Sequence, residues 1–212
     1  MTGHLAPKLA ADSPTKVCRK LNILKKLSRS LTPMPPRAGK NRTVPKSFRI
    51  DEPALQAIDK DAESQNVSLN TLVNQIFKQY ADYDRFARKI STVKLSSSTF
   101  RGLLSALDAD KVIEVAKTSG SGVPQAFATA KSGRVDMKAL LDHLRYLATY
   151  AHLYEMSEMV DAQGHNLTLI HDFGLNWSIF LVHYVTAMFG LIGVTPKIEM
   201  SDRSVSLTVP DV

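Results

Sequence analysis

Residues 44–51 read VPKSFRID, and the fold of the N-terminal half turns on this octapeptide. Val44, Phe48 and Ile50 fall on one side of a two-residue period, and Ser47 and Arg49 on the other, the pattern of a strand with one buried and one polar face. Lys46 falls on the apolar side near the start, where its stem can lie on the core while its ammonium reaches outward. One strand cannot make a stable sheet, and its unpaired edges are a liability in a monomer. The same strand of a second copy solves both problems by forming a two-fold antiparallel ladder.

Downstream, two helical patterns occur. Asp51 suits a helix cap and Pro53 is tolerated in a first turn; Leu55, Ile58 and Ala62 give a narrow apolar stripe that ends at SQNVS. Asn66 suits the left-handed backbone of a tight helix–helix turn. Ser68 caps the next helix, where Leu69, Leu72, Val73, Ile76, Phe77 and Tyr80 fall at i, i+3, i+4, i+7, i+8, i+11, the clearest amphipathic period in the chain. This helix is expected to continue through ADYDRFARKI, with Phe86 and Ile90 bridging into the C-terminal part and a boundary near STVKLSSS.

Strand, helix, tight turn, helix over PKSFRIDEPALQAIDKDAESQNVSLNTLVNQIFKQYAD, Pro45 to Asp82, resembles the ribbon-helix-helix (Arc/MetJ-type) DNA-binding domain. The most specific part is NVSLNTLVNQIF, a capping hydroxyl followed by the apolar period. Asn66 stands where that family commonly has glycine, and Pro45 where a third base-reading residue would be expected. The resemblance implies a homodimer with Phe48, Ile50, Leu72 and Ile76 in a shared core and a two-stranded ribbon of a size to enter the major groove. Arg49 can donate two hydrogen bonds to guanine and Ser47 a less selective one, so these two are the expected base contacts. Lys46, and the helix start made by the Ser68 hydroxyl with the N–H groups of Leu69 and Asn70, are the expected phosphate contacts.

Upstream, residues 1–49 hold twelve Lys or Arg against one acid, Asp12; that is +11 in a chain of net charge +7, so the remainder sums to −4. Such asymmetry points to a polyanion at the N-terminal end. Residues 1–42 read as a flexible basic arm, in which Lys40 and Arg42 lie nearest the ribbon and add salt-sensitive phosphate contacts. Within it, residues 15–31 also fit a short amphipathic basic helix, and the leader has some features of a transit peptide. The single cysteine, Cys18, cannot form an internal disulfide and suits a reducing compartment. The expected location is cytoplasmic and nucleoid-associated.

The C-terminal part, residues 95–212, reads as an α+β unit of helices, then strand, helix and hairpin. Helical patterns run over 97–107 and 109–118, a Gly/Ser/Pro loop at TSGSGVPQ, and a long helix from about Asp136 to Ala162 that stops at Gly164. NLTLIHDF reads as a strand, Trp177 to Ile192 as a buried core helix rather than a membrane span, and PKIEM with SVSLTV as a hairpin turning at residues 201–203. His143, His152, His165, His171 and His183 show no i, i+4 pair that would present two metal ligands on one face, and no nucleophile elbow, P-loop or dinucleotide fingerprint occurs. No enzymatic activity, metal or cofactor is expected.

The fold expected is therefore α+β and mostly helical: a basic arm (1–42), a ribbon-helix-helix (43–90) and an α+β domain (95–212) that senses a small-molecule or protein effector, or extends the dimer to a higher oligomer. The function expected is a sequence-specific, homodimeric transcription regulator on double-stranded DNA. Two alternatives are an antitoxin or partition-type protein whose C-terminal domain binds a protein partner, and an interaction protein lying on an anionic membrane surface.

Overall fold

The computed structural model describes residues 43–210. The basic arm, with Lys40, Arg42 and Cys18, lies outside the described residues. The fold is α+β, with helices predominating over one small antiparallel sheet. Contacts divide the chain at Ile50, so that everything from Asp51 onward forms one compact unit.

That unit opens with α1 (Glu52–Ser64) and α2 (Leu69–Gln79). Asp51 has the extended backbone of a cap and its carbonyl accepts from Leu55 N at 3.0 Å, but its side chain makes no capping bond. Pro53 fits the first turn, where no N–H is required. The end of α1 is a Schellman motif: Val67 N–H donates to Ala62 O and Asn66 N–H to Glu63 O, with Asn66 left-handed at φ 53°. After α2 the chain continues through a π turn (Tyr80–Asp84), an α turn (Arg85–Ala87) and a 3₁₀ turn (Arg88–Ile90). Residues 91–96 carry no helix or strand.

Phe86 does bridge forward: it is buried and meets Phe127 edge-on at 5.7 Å. The next helices are α3 (Ser97–Ser105), α4 (Ala109–Ser132) and α5 (Met137–Thr149), capped by Ser96, Asp108 and Asp136, whose side chains accept from Thr99, Lys111 and Ala139 N–H. Then come β1 (Glu155–Asp161), β2 (Gly164–Ile170), α6 (Leu175–Gly190), β3 (Lys197–Met200) and β4 (Ser204–Val209). The sheet order is β1-β2-β4-β3, with every pair antiparallel. In β2 and β4, Leu167, Leu169, Val205, Leu207 and Val209 point into a core completed by Leu140 and Leu144 of α5 and Val185, Met188 and Phe189 of α6. Each such side chain contributes roughly 1.5–3 kcal/mol by leaving water. Among the described residues, no helix is long and apolar enough to cross a membrane; the apolar run from Trp177 lies inside α6, packed on this core.

Two expectations for this half are corrected. TSGSGVPQ is no loop but the middle of α4, which runs 24 residues with Pro124 inside it. Gly120 faces α6 so closely that a Cβ there would lie 2.8 Å from Tyr184 Cα, and Ser121 Oγ donates back to the Lys117 and Thr118 carbonyls. Tertiary burial of Val112, Ala116, Gly120, Pro124, Phe127 and Ala128 along one side outweighs an intrinsic cost of about 1 kcal/mol for a glycine and about 3 for a proline. The long helix to Ala162 is also wrong: α5 stops at Thr149, the backbone reverses through His152 at φ 53°, and residues 155–161 form β1. Gly164 (φ 114°) closes the β1–β2 turn instead of ending a helix. The unit is thus helices, hairpin, helix, hairpin, and His152 does not share a helix with His143.

Candidate nucleic-acid interface

Residues 43–50 form no helix or strand within a single chain, and all are exposed. Lys46, Ser47 and Arg49, the expected phosphate and base contacts, are open to solvent with their neighbours Phe48 (64% exposed) and Ile50 (45%). The strand expected here is not present in the single chain; a ladder between copies would need two chains.

In the second unit, α1 and α2 are neighbours, and each buries one residue, Ala62 and Leu72. Ser68 has extended geometry at the head of α2. Its Oγ accepts from Thr71 N–H at 3.1 Å and lies 2.8 Å from Thr71 Oγ1. That satisfies one of the first N–H groups of α2. The N–H groups of Leu69 and Asn70 belong to the set with no acceptor inside the helix, and both residues are exposed. Of the expected dimer-core residues on α2, Leu72 is buried within the chain while Ile76 is 44% exposed, as are Phe77 (49%) and Tyr80 on the same side.

The charges of α1 are mostly acidic: Glu52, Asp59, Asp61 and Glu63 against Lys60. A polyanion approaching this helix pair is therefore disfavoured over α1 and favoured at the neutral N-terminus of α2, where the helix dipole is positive.

Behind α2 lies a junction that sequence reasoning missed. Lys131 of α4 donates to the Tyr146 hydroxyl and to Asp82 O at 3.4 Å, and its ammonium lies 3.8 Å from the Tyr146 ring centre and 5.8 Å from that of Phe86. Burial lowers its pKa, partly offset by the charges of Asp82 and Asp142. The Tyr150 hydroxyl donates to Asp82 Oδ2 at 3.3 Å, and Tyr83 stacks on Tyr150. This aromatic and polar cluster ties the π turn after α2 to α4 and α5. The i, i+4 spacings Phe127/Lys131 and Tyr146/Tyr150 were its only trace in the sequence.

Other polar side chains pair within the same unit. His143 Nε2 meets the Tyr184 hydroxyl at 2.7 Å. His171 Nε2 lies 3.0 Å from Ser178 Oγ, and the Phe173 N–H approaches its Nδ1 at 3.4 Å. Arg145 forms a fork with Glu158, which also meets His165 Nδ1 at 2.8 Å. Among the described residues, no three His, Cys, Asp or Glu side chains are grouped to hold a metal. In comparisons with known proteins, no family model and no curated protein matches this chain.

Proposed function

We propose that the protein is a homodimeric, sequence-specific DNA-binding transcription regulator of the ribbon-helix-helix kind. The observation that carries this reading is the exposure of large apolar side chains: Val44 and Ile50 alternate with Ser47 and Arg49 just before α1, and Ile76 of α2 and Tyr80 just after it are exposed as well. Large apolar groups concentrated in so short a segment mark an interaction surface. A second copy covers them if residues 44–50 of the two chains pair antiparallel over the two helix pairs, and the pairing also satisfies the backbone groups on the facing edge of each strand.

In that dimer the polar face presents Ser47 and Arg49 twice. Arg49 reads guanine through its two-pronged donor face, Ser47 adds a less selective contact, and Lys46 meets phosphate. The start of α2 supports the same geometry: Ser68, Leu69 and Asn70 offer a capped helix N-terminus to a phosphate, while acidic α1 stays away from the backbone. Lys40 and Arg42, with the rest of the arm, add affinity that falls as salt rises. The C-terminal unit would serve sensing or further assembly.

Selection of random duplex DNA by the full chain, at two salt concentrations, tests the proposal. A two-fold-symmetric motif should be enriched at both, and Arg49→Ala should cost about 1–3 kcal/mol on the selected duplex while leaving the melting temperature unchanged, since the side chain is exposed. Equal retention of all sequences at both salts would reduce the activity to electrostatics and overturn the regulator reading.

A further inference from the structure

We propose that the C-terminal unit holds a binding site for an uncharged, hydrocarbon-rich small molecule, in the cavity bounded by α3, the first half of α4 and the first half of α6. The inference is independent of DNA binding. The cavity has a volume of about 430 Å³, within the roughly 300–1,000 Å³ usual for small-molecule sites. Its floor is made by Tyr154, Trp177, Phe180 and Tyr184, and Leu104 and Val112 stand at its sides.

Each polar atom of that floor is turned toward a protein partner. The Tyr154 hydroxyl donates to Leu144 O at 3.1 Å, Trp177 Nε1 to Leu153 O at 3.2 Å, and the Tyr184 hydroxyl pairs with His143 Nε2. What remains facing the cavity is hydrocarbon and ring surface. No charged side chain lines it, and Ser119 brings the one aliphatic hydroxyl. A charged occupant would lose hydration and gain no partner. Water is a poor occupant too, because on the order of a dozen molecules would fit and each needs two to four polar partners.

The space is also held open. Asn176 Nδ2 donates to the Leu104 and Leu107 carbonyls, at 2.8 Å each, and so pins the end of α3. The close approach of Gly120 to the Tyr184 backbone fixes the distance between α4 and α6. Phe100 sets its edge on Trp177 at 5.0 Å and props α3 away from the floor. Collapse is therefore resisted on three sides, and the mouth at Leu103 (56% exposed) and Val115 gives entry. The depth behind that rim, down to Trp177 and Tyr184 at 4–5% exposure, fits a compact molecule better than a protein helix laid across the rim.

Titration of the full chain with N-phenyl-1-naphthylamine, a neutral fluorescent probe, should show saturable binding of one probe per chain. Ser119→Phe, which fills the cavity, and Leu103→Asp, which charges its exposed rim, should each weaken the probe at least tenfold with the circular dichroism spectrum unchanged. Leu103→Asp decides the matter if Ser119→Phe fails to fold, since its position is on the surface. Absence of saturable one-to-one binding, or an affinity that Leu103→Asp leaves unmoved, would overturn the assignment. Self-association abolished by Leu103→Asp in a chain that binds no probe would also overturn it, and would make the rim a contact between copies.

Discussion

Desolvation governs His143. The ring is 1% exposed, its Nε2 is paired with Tyr184, and its Nδ1 has no partner; burial pushes its pKa down to about 4. The folded pKa lies below the unfolded value of about 6.5, so the unfolded chain binds more protons in between. Stability is then full above about pH 6.5 and falls as pH drops toward 4, by up to roughly 3 kcal/mol from this group. His171 and His183, also lowered chiefly by burial, act in the same direction. Asp142 and Glu158, held below the usual carboxylate range by Lys138 and Arg145 and by Arg145 and His165 despite their burial, extend the loss to lower pH. Urea midpoints between pH 7 and 4 should therefore decline, and His143→Gln should flatten the upper part of that decline. An equally steep decline in the variant would assign the effect elsewhere. None of this was readable from sequence, because a histidine on a helix carries no mark of what will cover it.

At the scale of elements, legibility depended on how local the cause of each structure was. The α1–α2 pair was readable because its determinants lie within a few residues: Asn66 supplies the left-handed turn, Ser68 caps, and the period from Leu69 to Tyr80 is continuous. The strands β2, β3 and β4 and helix α6 were readable for the same reason, since the strands alternate and the helix is apolar throughout. Two elements were misread where distant contacts decide. The glycines and proline of α4 signal a break until α6 is placed against Gly120, and β1 is so exposed that its alternation carries no hydrophobic signal. Gly120→Ala should separate α4 from α6 and cost about 1–3 kcal/mol, as over-packing does, whereas Gly122→Ala, with open space around its Cβ position, should be neutral or stabilising. Thermal denaturation of the two variants checks this pair. Equal stability would mean that the α4–α6 contact yields without cost.

For the whole molecule, the expected contacts with DNA belong to an assembly of two chains, and a single chain shows only the surface that such an assembly would cover. The charge split has the same character: the chain carries +11 up to Arg49 and −4 beyond it, so the proposed attraction to a polyanion is concentrated at the N-terminal end. A shared ribbon is the premise on which the base contacts of Ser47 and Arg49, the phosphate contacts of Lys46 and Ser68, and the burial of Phe48, Ile50 and Ile76 all rest. Its most direct test is amide hydrogen exchange across residues 44–50 of the full chain as a function of protein concentration. Within one chain these residues form no strand, so protection that rises with protein concentration marks pairing between copies. A shared ribbon should give slow exchange of alternate amides at high concentration, lost on dilution; fast exchange at every concentration, including in the presence of duplex DNA, would contradict it.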